Sequence, residues 1–415
     1  MSFSTLGLHT SLLETLARIG YANPTAVQRA AIPAVIGGTD LLVSSQTGSG
    51  KTAAFMLPGL QRLLVGAIAG KPSSLGPRVL VLAPTRELAL QVQKAAHGYG
   101  AGQRLHSACL VGGMPYGLQL KQLAKPVDVV VATPGRLKDH LARGRIDLSR
   151  VELLVLDEAD RMLDMGFQED IDAIVARTPA TRQTLLFSAT LDGVVGRLAR
   201  RVTREAQRID VAPATARESQ IEQSALFADN LEHKFRLLDA LLRDTDLKQV
   251  LVFTATKRSA EALSGSLARQ GHAAGALHGD MRQRERNLTL QHLRTGRMRV
   301  LVATDVAARG IDVPGISHVI NFDAPRQAED YVHRIGRTGR AGRGGIAVTF
   351  LAHGERHLMR AIERFTGAPI RVTVIPGMEP VAHSPRPRPN ANGARPWERR
   401  SDWKSSARPV RHKQK

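Results

Sequence analysis

Short apolar runs alternate with longer amphipathic stretches along most of this chain, and this alternation limits the fold more than any other feature. The runs fall at Asp40–Ser44, Arg78–Ala83, Asp128–Ala132, Val151–Leu156 and Thr184–Phe187, then at Gln249–Thr254, Val300–Ala303, His318–Phe322 and Ile346–Phe350. Many are apolar at every position, as a strand covered by helices on both faces must be. Between them lie stretches such as Arg86–Gly98, Lys257–Gln270 and Met281–Leu293, with apolar residues at helical spacing. The pattern predicts an α/β fold with parallel sheets flanked by helices. At 415 residues, one core is too small and two domains are expected.

Domain limits follow from composition. Residues 211–221 lack an apolar period and read as a linker between a domain at 1–210 and a second at 222–375. Residues 376–415 read as a disordered basic tail with repeated Pro, as in Pro385-Arg386-Pro387-Arg388-Pro389. Lys and Arg total 58 against 37 Asp and Glu, a net charge of +21. From residue 373 onward the chain carries +7, so the folded part keeps +14. Such an excess points to a polyanionic partner, either nucleic acid or an anionic membrane face. The tail lacks an amphipathic apolar face, which disfavours the membrane. No apolar run is long enough to span a bilayer, and the opening residues lack the basic start and apolar stretch of a signal peptide. Cys109 is the only cysteine, so no internal disulfide or Cys/His metal cluster is expected. These features fit a cytoplasmic protein.

Two motifs carry chemistry. Ser45-Gln46-Thr47-Gly48-Ser49-Gly50-Lys51-Thr52 follows an apolar strand and precedes a helical stretch. Small residues let successive N–H groups turn toward phosphate oxygens, with Lys51 on the β and γ phosphates and the Thr52 hydroxyl on Mg2+. The strict pattern opens with Gly, and Ser45 stands in that place. Asp157-Glu158-Ala159-Asp160 ends the Val151–Leu156 run, at the strand edge where ligands bind in such sheets. Asp157 is expected to hold Mg2+ partly through water, and Glu158 to activate the attacking water. Acids favoured by a helix N-terminus are the plainer reading of the second motif, but that does not account for its pairing with a phosphate loop.

From here the order of motifs resembles the DEAD-box branch of the superfamily 2 RNA helicases over about residues 1–375. The opening and the Ile375–Pro380 exit are most similar to the bacterial RhlE type. The resemblance implies two tandem RecA-like domains, ATP and Mg2+ as cofactors, and RNA-stimulated ATP hydrolysis that unwinds short duplexes or remodels RNA–protein complexes. Gly20–Gln28 is similar to the family's Q motif, which implies that Gln28 reads adenine and that Phe3 stacks on it. Nucleotide contacts are implied for Thr47, Gly48, Ser49, Gly50, Lys51, Thr52 and Asp312. RNA contacts are implied for Pro84, Thr85, Arg86, Gly113, Thr133, Pro134, Gly135, Arg136, Thr304, Arg309 and Gly310. Gln283 and Arg286 fit a helical motif of the second half. Ser188 and Thr190, with Asp160 and His333, would couple hydrolysis to strand separation, Ser188-Ala189-Thr190 by hydrogen bonding to Asp160. Arg337 and Arg340, in His333–Arg340, would reach the γ-phosphate from the second domain. Implied partners are RNA, held without sequence preference, and ribosomal or RNA-degradation assemblies, for a protein acting as a monomer off the membrane. Rival readings are a DNA-translocating helicase of the same superfamily and a non-enzymatic RNA chaperone.

Overall fold

The computed structural model describes residues 2–45, 49–66, 76–211, 221–244, 247–308, 311, 313, 315–339 and 344–381. In the first half, β1 (Leu41–Ser44), β2 (Val79–Leu82), β3 (Ser107–Leu110), β4 (Val129–Ala132), β5 (Leu153–Leu156), β6 (Gln183–Ser188) and β7 (Gln207–Asp210) form one sheet, ordered β3-β4-β2-β5-β6-β1-β7. In the second, β8 (Ile221–Ala228), β9 (Val250–Phe253), β10 (Ala274–Leu277), β11 (Val300–Ala303), β12 (His318–Asn321), β13 (Gly345–Ala352) and β14 (Arg371–Val372) form another, ordered β10-β11-β9-β12-β13-β8-β14. Every described pairing is parallel. These are the helix-flanked parallel sheets that the alternation predicted, in the two-domain arrangement that the resemblance implied.

Side chains explain why both sheets are covered on two faces. Every residue of β2, β4 and β5 is buried. Along β2, Val79 and Val81 enter one apolar cluster with Phe55 and Phe187, while Leu80 and Leu82 enter another with Leu154 and Leu198. Successive strand residues point to opposite faces, so one four-residue run anchors two helical layers. In the second half Val250 and Val252 pack with Leu238, and Leu251 and Phe253 with Leu290. Two of the helices begin where a side chain supplies an oxygen acceptor. Thr85 accepts from Leu88 N at 3.2 Å, opening Arg86–Tyr99, and Asn230 accepts from His233 N at 2.8 Å, opening Leu231–Leu242.

Some boundaries differ from the sequence reading. Strands β3, β7, β8, β10 and β14 have no counterpart among the apolar runs. Ile221, read as the last linker residue, opens β8, and residues 212–220 of that linker lie outside the described residues. Ordered packing extends past residue 375. Met378 packs on the second-half core, and its carbonyl lies 3.1 Å from His233 Nε2, so the first residues assigned to the tail belong to the fold. Residues 382–415 lie outside the described residues. Among the described residues no helix is long and apolar enough to cross a membrane.

Asp40, 5% exposed, joins three elements ahead of β1. Its Oδ1 accepts from Thr184 N at 2.8 Å and its Oδ2 from Arg204 N at 2.7 Å. Asp40→Ala strands two N–H donors in a place closed to water. We expect a loss of about 2–4 kcal/mol in stability, with Asp40→Asn, which keeps one acceptor, losing less. Urea unfolding followed by circular dichroism measures this, because both tryptophans, Trp397 and Trp403, lie in the tail.

Candidate functional site

Parallel strands deliver their following loops to one edge of each sheet. At the edge of the first sheet stand Ser45 after β1, Pro84 after β2, Thr133 after β4, Asp157 after β5 and Ala189 after β6. At the edge of the second stand Thr254 after β9, His278 after β10, Thr304 after β11 and Phe322 after β12.

Lys51 begins the helix Lys51–Gly66, is 7% exposed, and donates from Nζ to the Ser45 carbonyl at 3.2 Å. Thr52, Ser49 and Gly50 are half-buried beside it. Thr47 and Gly48 lie outside the described residues. Gly50 has φ +95°, and a Cβ there would stand 2.5 Å from Gln28 Nε2, so glycine is required. Gln28 is 3% exposed and uses both ends of its amide: Oε1 accepts from Thr25 N at 2.9 Å and Nε2 donates to the Gly50 carbonyl at 3.1 Å. It thereby ties the Q motif to the phosphate loop. Phe3, expected from the resemblance to stack on adenine, packs inside the fold. It is 4% exposed, sits in the first-half core and leans on Tyr21 with ring centroids 6.3 Å apart. Burial of a large aromatic favours this position, and stacking on a base requires the ring to leave the cluster.

Asp157 continues the β5 ladder, donating from N to the Leu82 carbonyl at 2.9 Å, and its side chain is 2% exposed. Oδ1 is buried and has no hydrogen-bond partner among the described residues. Burial pushes the carboxyl up to about 7, against the opposing pull of the Lys51 ammonium, with Glu158 adding to the rise. Glu158 lies in the left-handed region at φ 53° and ψ 54°, where a non-glycine residue is strained. This turn separates strand from helix. Asp160 is raised by burial, with Lys51 and Arg161 opposing. Its Oδ2 accepts from Ala189 N at 3.1 Å and lies 4.0 Å from His333 Nε2. The expected bond between Ser188–Thr190 and Asp160 therefore exists, but the Ala189 backbone makes it. The Ser188 hydroxyl instead accepts from Thr190 N at 3.3 Å. The side chains of Ser188 and Thr190 are not the partners because the strand end aims the peptide at the carboxylate.

The two halves meet through charge. Arg161, 4% exposed, donates to Asp330 of the second half at 2.6 Å. Arg286 holds Glu87 at 2.8 Å, and Arg86 donates to Gln283 at 2.7 Å. A cleft of about 590 Å³ runs along this seam, lined by Pro84, Thr85, Arg86, Gly112, Thr133, Gly135 and Arg136 from the first half and by Met281, Gln283, Arg286 and Val306 from the second. Gly113, φ +73°, lies against Arg86, and a Cβ there would meet the guanidinium at 2.0 Å. Pro134 is buried at the first position of its helix, the place where a missing N–H costs nothing. Thr304 accepts from Ala307 and Ala308 N at 3.1 and 2.9 Å, starting the short helix after β11. Arg309, Gly310, Asp312 and Arg340 lie outside the described residues. Arg337 is 5% exposed, donates to the carbonyls of Ile311 and His333, and lines a small cavity with Arg161, Asp330, His333 and Arg334.

Residues 25–198 match the family description DEAD/DEAH box helicase, and residues 233–342 match Helicase conserved C-terminal domain. The Escherichia coli ATP-dependent RNA helicase SrmB is 43% identical over 92% of this chain and 86% of its own length. The chain belongs to the DEAD/DEAH box helicase family. It is an enzyme of the DEAD-box RNA helicase class, an ATP hydrolase. The E. coli helicase DeaD is 44% identical over 91% of the chain, which spans only 59% of that longer protein. Saccharomyces cerevisiae Dbp5 bound to RNA and ADP BeF3 superposes with a TM-score of 0.80 at 32% identity, covering 90% of this chain and 95% of that one. A Dbp5 variant bound to a Gle1 variant and IP6 gives 0.72 at 32% identity, covering 90% and 94%.

Sequence reasoning alone missed Arg161 and Asp330. Arg161 directly follows the acidic motif, and an arginine there signals an ion partner, but Asp330 is indistinguishable from a solvated helix acid. It also missed Arg334, which forks onto Asp305 at 2.6 and 2.7 Å over the Phe253 ring.

The buried Asp157 yields a pH test. Its folded-state value lies above the ordinary 3.8, so the stability it favours is complete below that value and is lost as pH rises toward about 7. With divalent cations chelated, Asp157→Asn should remove this loss. We expect the variant to gain on the order of a few kcal/mol over the parent at pH 8 and little at pH 4, read by thermal melts.

Proposed function

We propose that this chain uses ATP hydrolysis, stimulated by single-stranded RNA, to open short RNA duplexes or remodel RNA–protein complexes. The observation that carries the reading is the convergence of both halves on Asp160, where a first-half carboxylate takes a hydrogen bond from Ala189 and faces His333 of the second half. Chemistry at the acidic loop and closure of the halves then share one group.

On this reading Lys51, Ser49, Gly50 and Thr52, with Thr47 and Gly48, cradle the phosphates. Gln28 selects adenine by exchanging its bond to Gly50 for the base edge. The unpartnered Asp157 oxygen and the Thr52 hydroxyl fit Mg2+, whose charge would relieve a buried carboxylate and neutralise phosphate. Glu158 takes the proton of the attacking water. Arg337 and Arg340 supply positive charge from the second half, and Asp312 meets the ribose. Thr85, Arg86, Gly113, Thr133–Arg136, Thr304, Arg309 and Gly310 hold RNA phosphates and 2′-hydroxyls along the seam cleft, with little base readout. The higher superposition on RNA-bound Dbp5 than on its Gle1-bound variant supports reading the present arrangement as the closed one. Domain limits near 1–210 and 222–375, a cytoplasmic site of action, a monomeric state, the RhlE-type assignment and a link to ribosomal or RNA-degradation assemblies belong to the same proposal. They rest on composition and resemblance.

Glu158→Gln is expected to cut RNA-stimulated ATP turnover by roughly 10² or more while ATP still binds. Undiminished turnover removes Glu158 from this role. DNA stimulating as well as RNA would favour the translocating alternative. Removing residues 382–415 should weaken RNA binding and flatten its dependence on salt, with turnover at saturating RNA retained. An unchanged salt slope would free the tail from RNA.

A further inference from the structure

Two of the loops proposed to hold RNA are joined behind the surface by polar side chains that water does not reach. Gln119 and His140 are both 0% exposed. Gln119, on the helix Tyr116–Leu123, donates from Nε2 to the Val111 carbonyl and the Met114 carbonyl, each at 3.0 Å. One amide nitrogen thus closes both ends of the Gly112-Gly113 turn. The opposite amide orientation would set Oε1 against two carbonyl oxygens, so the acceptors fix it. Oε1 then faces His140 Nε2 at 3.1 Å, which makes Nε2 the protonated nitrogen. Nδ1 is buried with no hydrogen-bond partner, and burial lowers the affinity of the ring for a second proton. His140 rides on the helix Pro134–Ala142, the one that presents Gly135 and Arg136 to the cleft. Its ring lies flat on Tyr116, centroids 4.4 Å apart and 8° from parallel. Arg136 closes the circuit by donating to the Met114 carbonyl at 3.2 Å.

We infer that Gln119 and His140 are positioning residues for RNA: together they fix the spacing between the Gly112-Gly113 turn and the start of the Arg136 helix. Neither reaches the cleft. The turn approaches Arg86 so closely that a Cβ at Gly113 would overlap the guanidinium, so a small shift of the turn moves a phosphate-binding cation too. A buried donor shared between two carbonyls is costly to remove, because both acceptors are then left dry. Apolar side chains would fill this space at least as well for packing alone. The polar pair is therefore explained by geometry at the cleft rather than by stability.

The inference rests on the RNA reading above, and the experiment separates the two. RNA-stimulated ATPase is titrated with single-stranded RNA and with ATP for the full chain and for Gln119→Leu, His140→Phe and His140→Gln. His140→Phe keeps the stacking on Tyr116 and loses the donor, whereas His140→Gln keeps an N–H near the position of Nε2. Expected are rises of about tenfold in KM for RNA in Gln119→Leu and His140→Phe. KM for ATP and kcat at saturating RNA should stay within about twofold of the parent, and His140→Gln should return most of the RNA affinity. An unchanged KM for RNA in both donor-deleting variants overturns the inference. So does an equal rise in KM for ATP accompanied by a lower melting temperature, which marks a purely structural pair. A parent chain with no RNA stimulation sinks the functional reading, and this inference with it.

Discussion

The ion pair between Arg161 and Asp330 spans the two halves of the chain, and much of the arrangement depends on it. A guanidinium this deeply buried is tolerated only where an opposite charge meets it, because its hydration is lost. Asp164, on its own helix, offers a second contact at 3.4 Å, but the short bond comes from the other sheet. Parting the halves would return Arg161 to water, as it would Arg286 and Glu87 at the far side of the seam. The juxtaposed state is therefore one of paired charges, and the parted state one of hydrated charges. On the proposed reading, ligands bound at the seam shift the balance between these two states.

Those ligand sites are placed by strand direction. Parallel sheets send catalytic and binding loops to one edge, and the second sheet turns its own edge toward the first. The acidic loop occupies one part of the seam and the Arg86–Arg136 cleft another. Between them, Asp160 takes a hydrogen bond from Ala189 and lies 4.0 Å from His333 of the second half, the contact through which the proposed coupling would run. Local strain marks the same place: Glu158 is one of only two non-glycine residues with positive φ among the described residues, the other being Glu205. The sheet ladder at Asp157 and the helix bond from Met162 to the Glu158 carbonyl hold that strain in place.

Much of this was legible in the sequence because buried parallel strands are apolar at every position. The runs around β2, β4, β5, β9 and β11 could hardly fold otherwise. The strands that escaped notice tell why pattern reading stops. β3, β7, β10 and β14 are edge strands, so half their surroundings are solvent or loop, and they tolerate Ser, Gly, Gln and Arg. β8 has only the two-residue β14 on one side, and its Glu222-Gln223-Ser224 stretch hides the apolar half that follows. Candidate site residues stood out where glycine, lysine and acids occur in a fixed order after a strand. They were not legible where the partner is distant in sequence, as for Asp330 opposite Arg161, or where a polar residue is buried behind a loop, as for Gln119 and His140. Phe3, an aromatic with a role implied by resemblance, is buried in the first-half core.

The central claim is that ATP and RNA act on one equilibrium between parted and joined halves. Its most direct measurement is the affinity of a non-hydrolysable ATP analogue with and without single-stranded RNA, paired with the affinity of RNA with and without the analogue, in the parent chain and in Asp330→Ala. The account predicts that each ligand tightens the other by one common factor, on the order of 5–150-fold, and that the factor shrinks when Arg161 loses its partner. Equal affinities in the presence and absence of the second ligand, in a chain that binds both, would contradict it.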